Sequence, residues 1–137
     1  MSDDLIIERI MNVLQSENYE VLKNTDNSEV RGVNVVSVGI DGTEQVNFAL
    51  PDYRSRLSIY VSSQITEDET GQMFENICKE VIEKLNKYVL KEAPLSDLFE
   101  EVPVVGFWFV DIQKMIVDDT YGKCFLAHLN YIVITSE

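Results

Sequence analysis

The sequence holds a single histidine, His128, and two cysteines, Cys78 and Cys124, and their spacing limits the chemistry open to the chain. A structural zinc site gathers several thiolate or imidazole ligands, and a lone histidine cannot supply that clustered pattern, with Cys124 four residues before it and Cys78 far off in sequence. His128 shares its strand parity with Leu126, Asn130 and Ile132, the setting of a structural or partly exposed histidine. Both cysteines sit inside apolar patterns, as buried free thiols of a reducing compartment do. Acidic pairs are more numerous and less specific. Thr66-Glu67-Asp68-Glu69 has the spacing of a capping box, which commits carboxylates to the open amides of a helix start. Glu100 and Glu101 lie in a connector. Asp118 and Asp119 stand near a turn without the ligand spacing of a calcium loop, and suit a solvated turn or an electrostatic contact with a basic partner. The glycines form neither a dinucleotide fingerprint nor a phosphate loop. Phe107-Trp108-Phe109 has the surface to stack on bases, but no basic residues interleave with it, so packing in a core or at a protein interface explains it better. No enzyme activity, cofactor or metal is expected from these residues.

The elements that must position them fit one α+β domain spanning 1–137, since a chain of 137 residues with 45% hydrophobic content can furnish a single core. The formal charge of −13, from 24 acidic and 11 basic residues, argues against binding DNA or RNA through their phosphates. The opening Met1-Ser2-Asp3-Asp4 is the reverse of a basic signal-peptide start, and no apolar run reaches the roughly 20 residues that span a bilayer. Neither secretion by the ordinary route nor membrane insertion is expected.

Leu5, Ile6, Arg9, Ile10, Val13 and Leu14 predict a first amphipathic helix over Asp3–Ser16. Tyr19, Val21 and Leu22 follow as a short strand, and Asn24–Glu29 as a loop. Asp41-Gly42 between the runs Val33–Ile40 and Thr43–Leu50 predicts a tight hairpin, with Gly39 at a bend or bulge and Pro51 ending the return strand. Leu57, Ile59 and Val61 then alternate cleanly. From the Thr66 box onward, Met73, Phe74, Ile77, Cys78, Val81, Ile82, Leu85, Tyr88 and Val89 predict a helix of about 22 residues. Leu95, Leu98 and Phe99 make a short helical turn in the connector Lys91–Pro103. The last third reads as a two-stranded ribbon, Val104–Ile112 returning through Lys123–Ile134. Large side chains occupy both parities of this ribbon, so two main helices covering one face of a mostly antiparallel sheet leave the other to the hairpin or another chain.

This element order resembles the tail terminator proteins of long-tailed bacteriophages and prophages. The resemblance rests on the N-terminal helix, on the strand Arg56–Val61 leading across Thr66-Glu67-Asp68 into the long helix, and on Val105-Gly106-Phe107 opening a final hairpin. Tyr121–Val133 looks like that family's last sheet strand. The resemblance implies a homo-oligomeric, commonly hexameric ring that caps the tail tube and prepares it for head joining. Its partners would be tail-tube and head–tail connector proteins, and its location the host cytoplasm during assembly and then the virion tail. Phe107, Trp108, Phe109, Tyr131, Asp118 and Asp119 are the interface candidates. A small acidic secretion chaperone acting as a homodimer and a general protein-interaction domain are the alternative readings.

Overall fold

The computed structural model describes residues 3–25, 32–47, 52–119 and 122–136. Five strands form one sheet, β1 (Glu20–Lys23), β2 (Val35–Asn47), β3 (Asp52–Gln64), β4 (Val104–Asp119) and β5 (Gly122–Ser136), in the order β1-β2-β3-β5-β4. All neighbours are antiparallel except β1 and β2. Helices α1 (Asp3–Leu14), α2 (Gln72–Val89) and the short α3 (Leu95–Leu98) complete the chain. The chain adopts the expected α+β class, a mostly antiparallel sheet of five strands with three helices, and matches the expected element order and helix packing only in part.

The packing follows from the apolar stripes. Ile6, Ile10 and Leu14 from α1, and Ile77, Val81 and Leu85 from α2, enter one core with Val36 and Val38 of β2, Leu57 and Ile59 of β3, and Leu129 and Val133 of β5. Burying each large aliphatic side chain contributes about 1.5–3 kcal/mol. The two helices are also pinned at one end by charge. Lys84 on α2 donates to the carbonyl of Gln15 at 2.8 Å, just past the end of α1, while Glu80 takes Asn18 Nδ2 at 2.8 Å and Lys84 Nζ at 2.9 Å.

Three expectations are corrected. Asp41-Gly42 is not a hairpin turn: β2 runs through it to Asn47, and the pairing steps from Ile40↔Leu57 to Gly42↔Arg56, which leaves Asp41 as a bulge. The extra residue shifts the side-chain parity, so Val36, Val38 and Ile40 face the helices and so does Thr43, whose hydroxyl reaches the Asp3 carboxylate of α1 at 3.0 Å. Gly39 is regularly paired with Ser58 and is needed instead for close approach, because a Cβ there would stand 2.5 Å from the Asn24 carbonyl oxygen. The expected end of a strand at Pro51 falls outside the described residues.

The second correction concerns the start of α2. The helix begins at Gln72 after Gly71, whose φ of 74° is left-handed, and spans 18 residues rather than about 22. Thr66 does not cap it. The Asp68 carboxylate turns in to accept the backbone N–H groups of Met73 at 3.2 Å and Phe74 at 2.8 Å. The third correction is the length of the ribbon, whose first strand continues from Val104 past Ile112 to Asp119.

Candidate assembly interface

β4 lies at the edge of the sheet, with β5 on one side and no strand of the described chain on the other. Edge strands carry a row of open amides and carbonyls, and long apolar ones invite another chain. Along β4, Val105, Trp108, Phe109, Val110, Met115 and Ile116 are all exposed, from 38% at Phe109 to 64% at Ile116. The opposite edge is short: β1 covers β2 only from Val35 to Val38.

Two bulges shape this edge. The β4–β5 register shifts between Val104 and Gly106 and again between Phe109 and Asp111, then runs unbroken to Asp119. Each bulge flips the parity and increases the local twist. They explain why apolar residues of both parities occur here: Val105 and Val110 are the extra residues, turned out of the ladder and exposed.

The six expected interface residues do not form one patch. Phe107 and Tyr131 are core residues, exposed by only 3% and 2%, with their rings stacked at 5.3 Å. Phe99 meets Phe107 edge-on at 5.4 Å and Phe109 meets Tyr131 edge-on at 5.2 Å, which makes a row of aromatics beneath the helix layer that surfaces at Phe109. Trp108 points to the other face of the sheet, half exposed, and its ring lies over Gly106, where a Cβ would come within 2.2 Å of Cη2. Asp118 is at the far end of the ribbon, 4.0 Å from Lys123 across the hairpin, and Asp119 pairs with Gly122. Ten residues of strand separate Trp108 from Asp118, about 34 Å. Trp108, Phe109 and Asp118 are thus placed on the surface, and Met115 and Ile116, beyond the expected strand end at Ile112, join them.

Beside Ile116 a groove of about 250 Å³ opens between the start of α2 and the ribbon, lined by Gly71, Phe74, Met115, Ile116 and Phe125 among others. Lys114 crosses its rim to Glu75 at 2.8 Å.

His128 and the two cysteines are held by contacts within the fold. His128 Nε2 lies 3.1 Å from Ser58 Oγ, and its ring stacks on Tyr60 at 4.3 Å. Cys78 and Cys124 are buried free thiols, and burial pushes Cys78 up to about 12, far from a reactive thiolate. Among the described residues no three His, Cys, Asp or Glu side chains come together to hold a metal ion, and no helix is long and apolar enough to cross a membrane.

The sequence matches no protein-family model and no curated protein sequence. Among solved structures the chain is similar to one from the virion of native gene transfer agent (GTA) particle, with a TM-score of 0.58 and 11% identity, over 96% of this chain and 92% of that chain. At that identity the likeness is one of fold, and it extends over nearly the whole length of both chains.

Proposed function

We propose that the chain is a structural protein of a phage-like particle, and within that class a tail terminator that caps the tail tube and prepares it for head joining as a homo-oligomeric ring. The observation that carries the reading is the fold shared with a virion chain over 96% of this sequence. The exposed apolar edge of β4 supports it, since a surface of that kind serves assembly rather than turnover. The partners on this reading are further copies of the chain, the tail-tube protein and head–tail connector proteins, met in the host cytoplasm during assembly and retained in the virion tail. Catalysis has no part in it.

Depletion of the protein in a producing host tests the proposal. Tails of abnormal length, or tails that fail to join heads, are expected, and the purified protein forms rings alone or on contact with tail tubes under electron microscopy. A persistent monomer that neither associates with tubes nor affects tails overturns the reading. Recovery of the protein as a compact dimer bound to an export substrate favours the chaperone alternative instead.

A further inference from the structure

We propose that the distal half of β4 is a self-pairing edge, joining two copies of the chain through an antiparallel β4–β4 contact centred on Ile116. The distribution of bulges points to that half. Bulges at Val105 and Val110 blunt the proximal half of the edge, while Asp111–Asp119 is regular and can accept another strand.

Charge then selects the register. A two-fold axis normal to the sheet keeps each residue on its own face, so an antiparallel pair of identical strands must be centred on a single residue. Centring on Lys114 or Asp118 places like charges directly opposite each other, and centring on Met115 opposes Asp111 with Asp119. Centring on Ile116 alone sets Lys114 opposite Asp118, and does so twice. In that register the ion pairs extend into a row of alternating sign, Glu75–Lys114 in one copy continuing into Asp118–Lys123 of the second. Lys114, Ile116 and Asp118 share the helix-side face, as their partners Ala127, Phe125 and Lys123 on β5 show. Ile116, 64% exposed, therefore meets the second copy's Ile116 at the mouth of the groove beside Phe74 and Phe125. The occupant that this edge fits is a second copy of the same chain. The contact goes beyond the ring reading: a two-fold pair closes at two copies, whereas a ring needs two different surfaces.

Sedimentation of the full chain over a range of concentrations tests the contact. The wild type forms a species of twice 15.7 kDa, or a ring population that β4 pairing doubles. Lys114→Asp and Asp118→Lys each place like charges opposite each other at both sites and weaken self-association by about tenfold or more. Mixing the two variants in equal amounts restores wild-type association, because each supplies the charge the other lacks. As a second measurement, Ile116→Cys yields a disulfide-linked dimer on oxidation, since directly opposite residues lie within disulfide reach, whereas Gln113→Cys does not link to itself. A wild type without self-association, single variants that associate as the wild type does, or a mixture no better than either variant alone overturns the proposal. Rings that persist unchanged in both charge variants remove the β4 contact while leaving the ring reading in place.

Discussion

Asp68 shows how one side chain replaces a sequence motif. Its carboxylate is buried and receives the amides of Met73 and Phe74, so it performs the capping that the spacing assigns to Thr66. Asp68→Ala is expected to cost about 1–2 kcal/mol in urea unfolding, while Thr66→Ala, on an exposed turn, stays within about 0.5 kcal/mol. Glu80 is the residue through which acid acts on the α1–α2 contact. Burial raises its pKa, but hydrogen bonds from Ser16, Lys84 and Asn18 and the charge of Lys84 outweigh this and hold it at about 2. A carboxyl depressed in the folded state stabilises fully above its unfolded pKa of about 4.3, and that contribution is lost as pH falls toward the folded value. Stability measured by urea titration is therefore expected to fall between about pH 5 and pH 2, and Glu80→Gln to be less stable near neutrality with a flatter acid limb. An acid limb identical in the variant contradicts this role for Glu80.

At the scale of elements, Phe107 and Phe109 separate core from surface on one strand. Both face the helix layer, yet Phe107 is enclosed between Phe99 and Tyr131 while Phe109 reaches solvent. Phe107→Asp is expected to abolish the folded circular dichroism spectrum. Phe109→Asp is expected to retain it and to lose ring assembly instead, a contact separate from the Ile116 edge; loss of the fold in both contradicts the placement. The helices were legible in the sequence because the spacing of Ile6, Ile10 and Leu14, and of Ile77, Val81 and Leu85, repeats at the helical period whatever lies around it. The strand boundaries were less so. Asp-Gly satisfies a tight turn in isolation, and only the pairing of β2 with β3 turns it into a bulge at Asp41. The bulges at Val105 and Val110 similarly defeat a strict alternation, so which of Phe107, Trp108 and Phe109 faces solvent depends on β5. Met115 and Ile116 are not legible as strand in the sequence because the polar pair Gln113-Lys114 interrupts the apolar run, although strand pairing continues through it. Trp108 and Phe109 were recognisable from residue type alone.

For the whole molecule, the excess of acid sets how the chain answers to salt. Arg9, Lys23, Arg54, Lys79, Lys84 and Lys114 already stand in ion pairs, so much of the positive charge is committed locally while 24 carboxylates oppose 11 basic groups. Most of these pairs are exposed and contribute about 0–1 kcal/mol each, whereas the uncompensated carboxylates repel one another over the full width of the molecule. Raising ionic strength shortens the screening length from about 30 Å at 0.01 M to about 10 Å at 0.1 M, which weakens that long-range repulsion more than contacts near 3 Å. The melting temperature in calorimetry is thus expected to rise between 0.01 and 0.3 M sodium chloride, by a few degrees for a domain of this size. A melting temperature that falls over the same range shows that the surface pairs outweigh the net charge. Self-association is governed by the same balance, because two copies that each carry −13 must approach before any edge can pair. Assembly of the purified chain is expected to tighten with salt over this range even though the Lys114–Asp118 contact taken alone weakens. The charge variants Lys114→Asp and Asp118→Lys alter net charge by two in opposite directions and are both expected to disrupt the edge, so a common loss of association in sedimentation separates the contact from the global field.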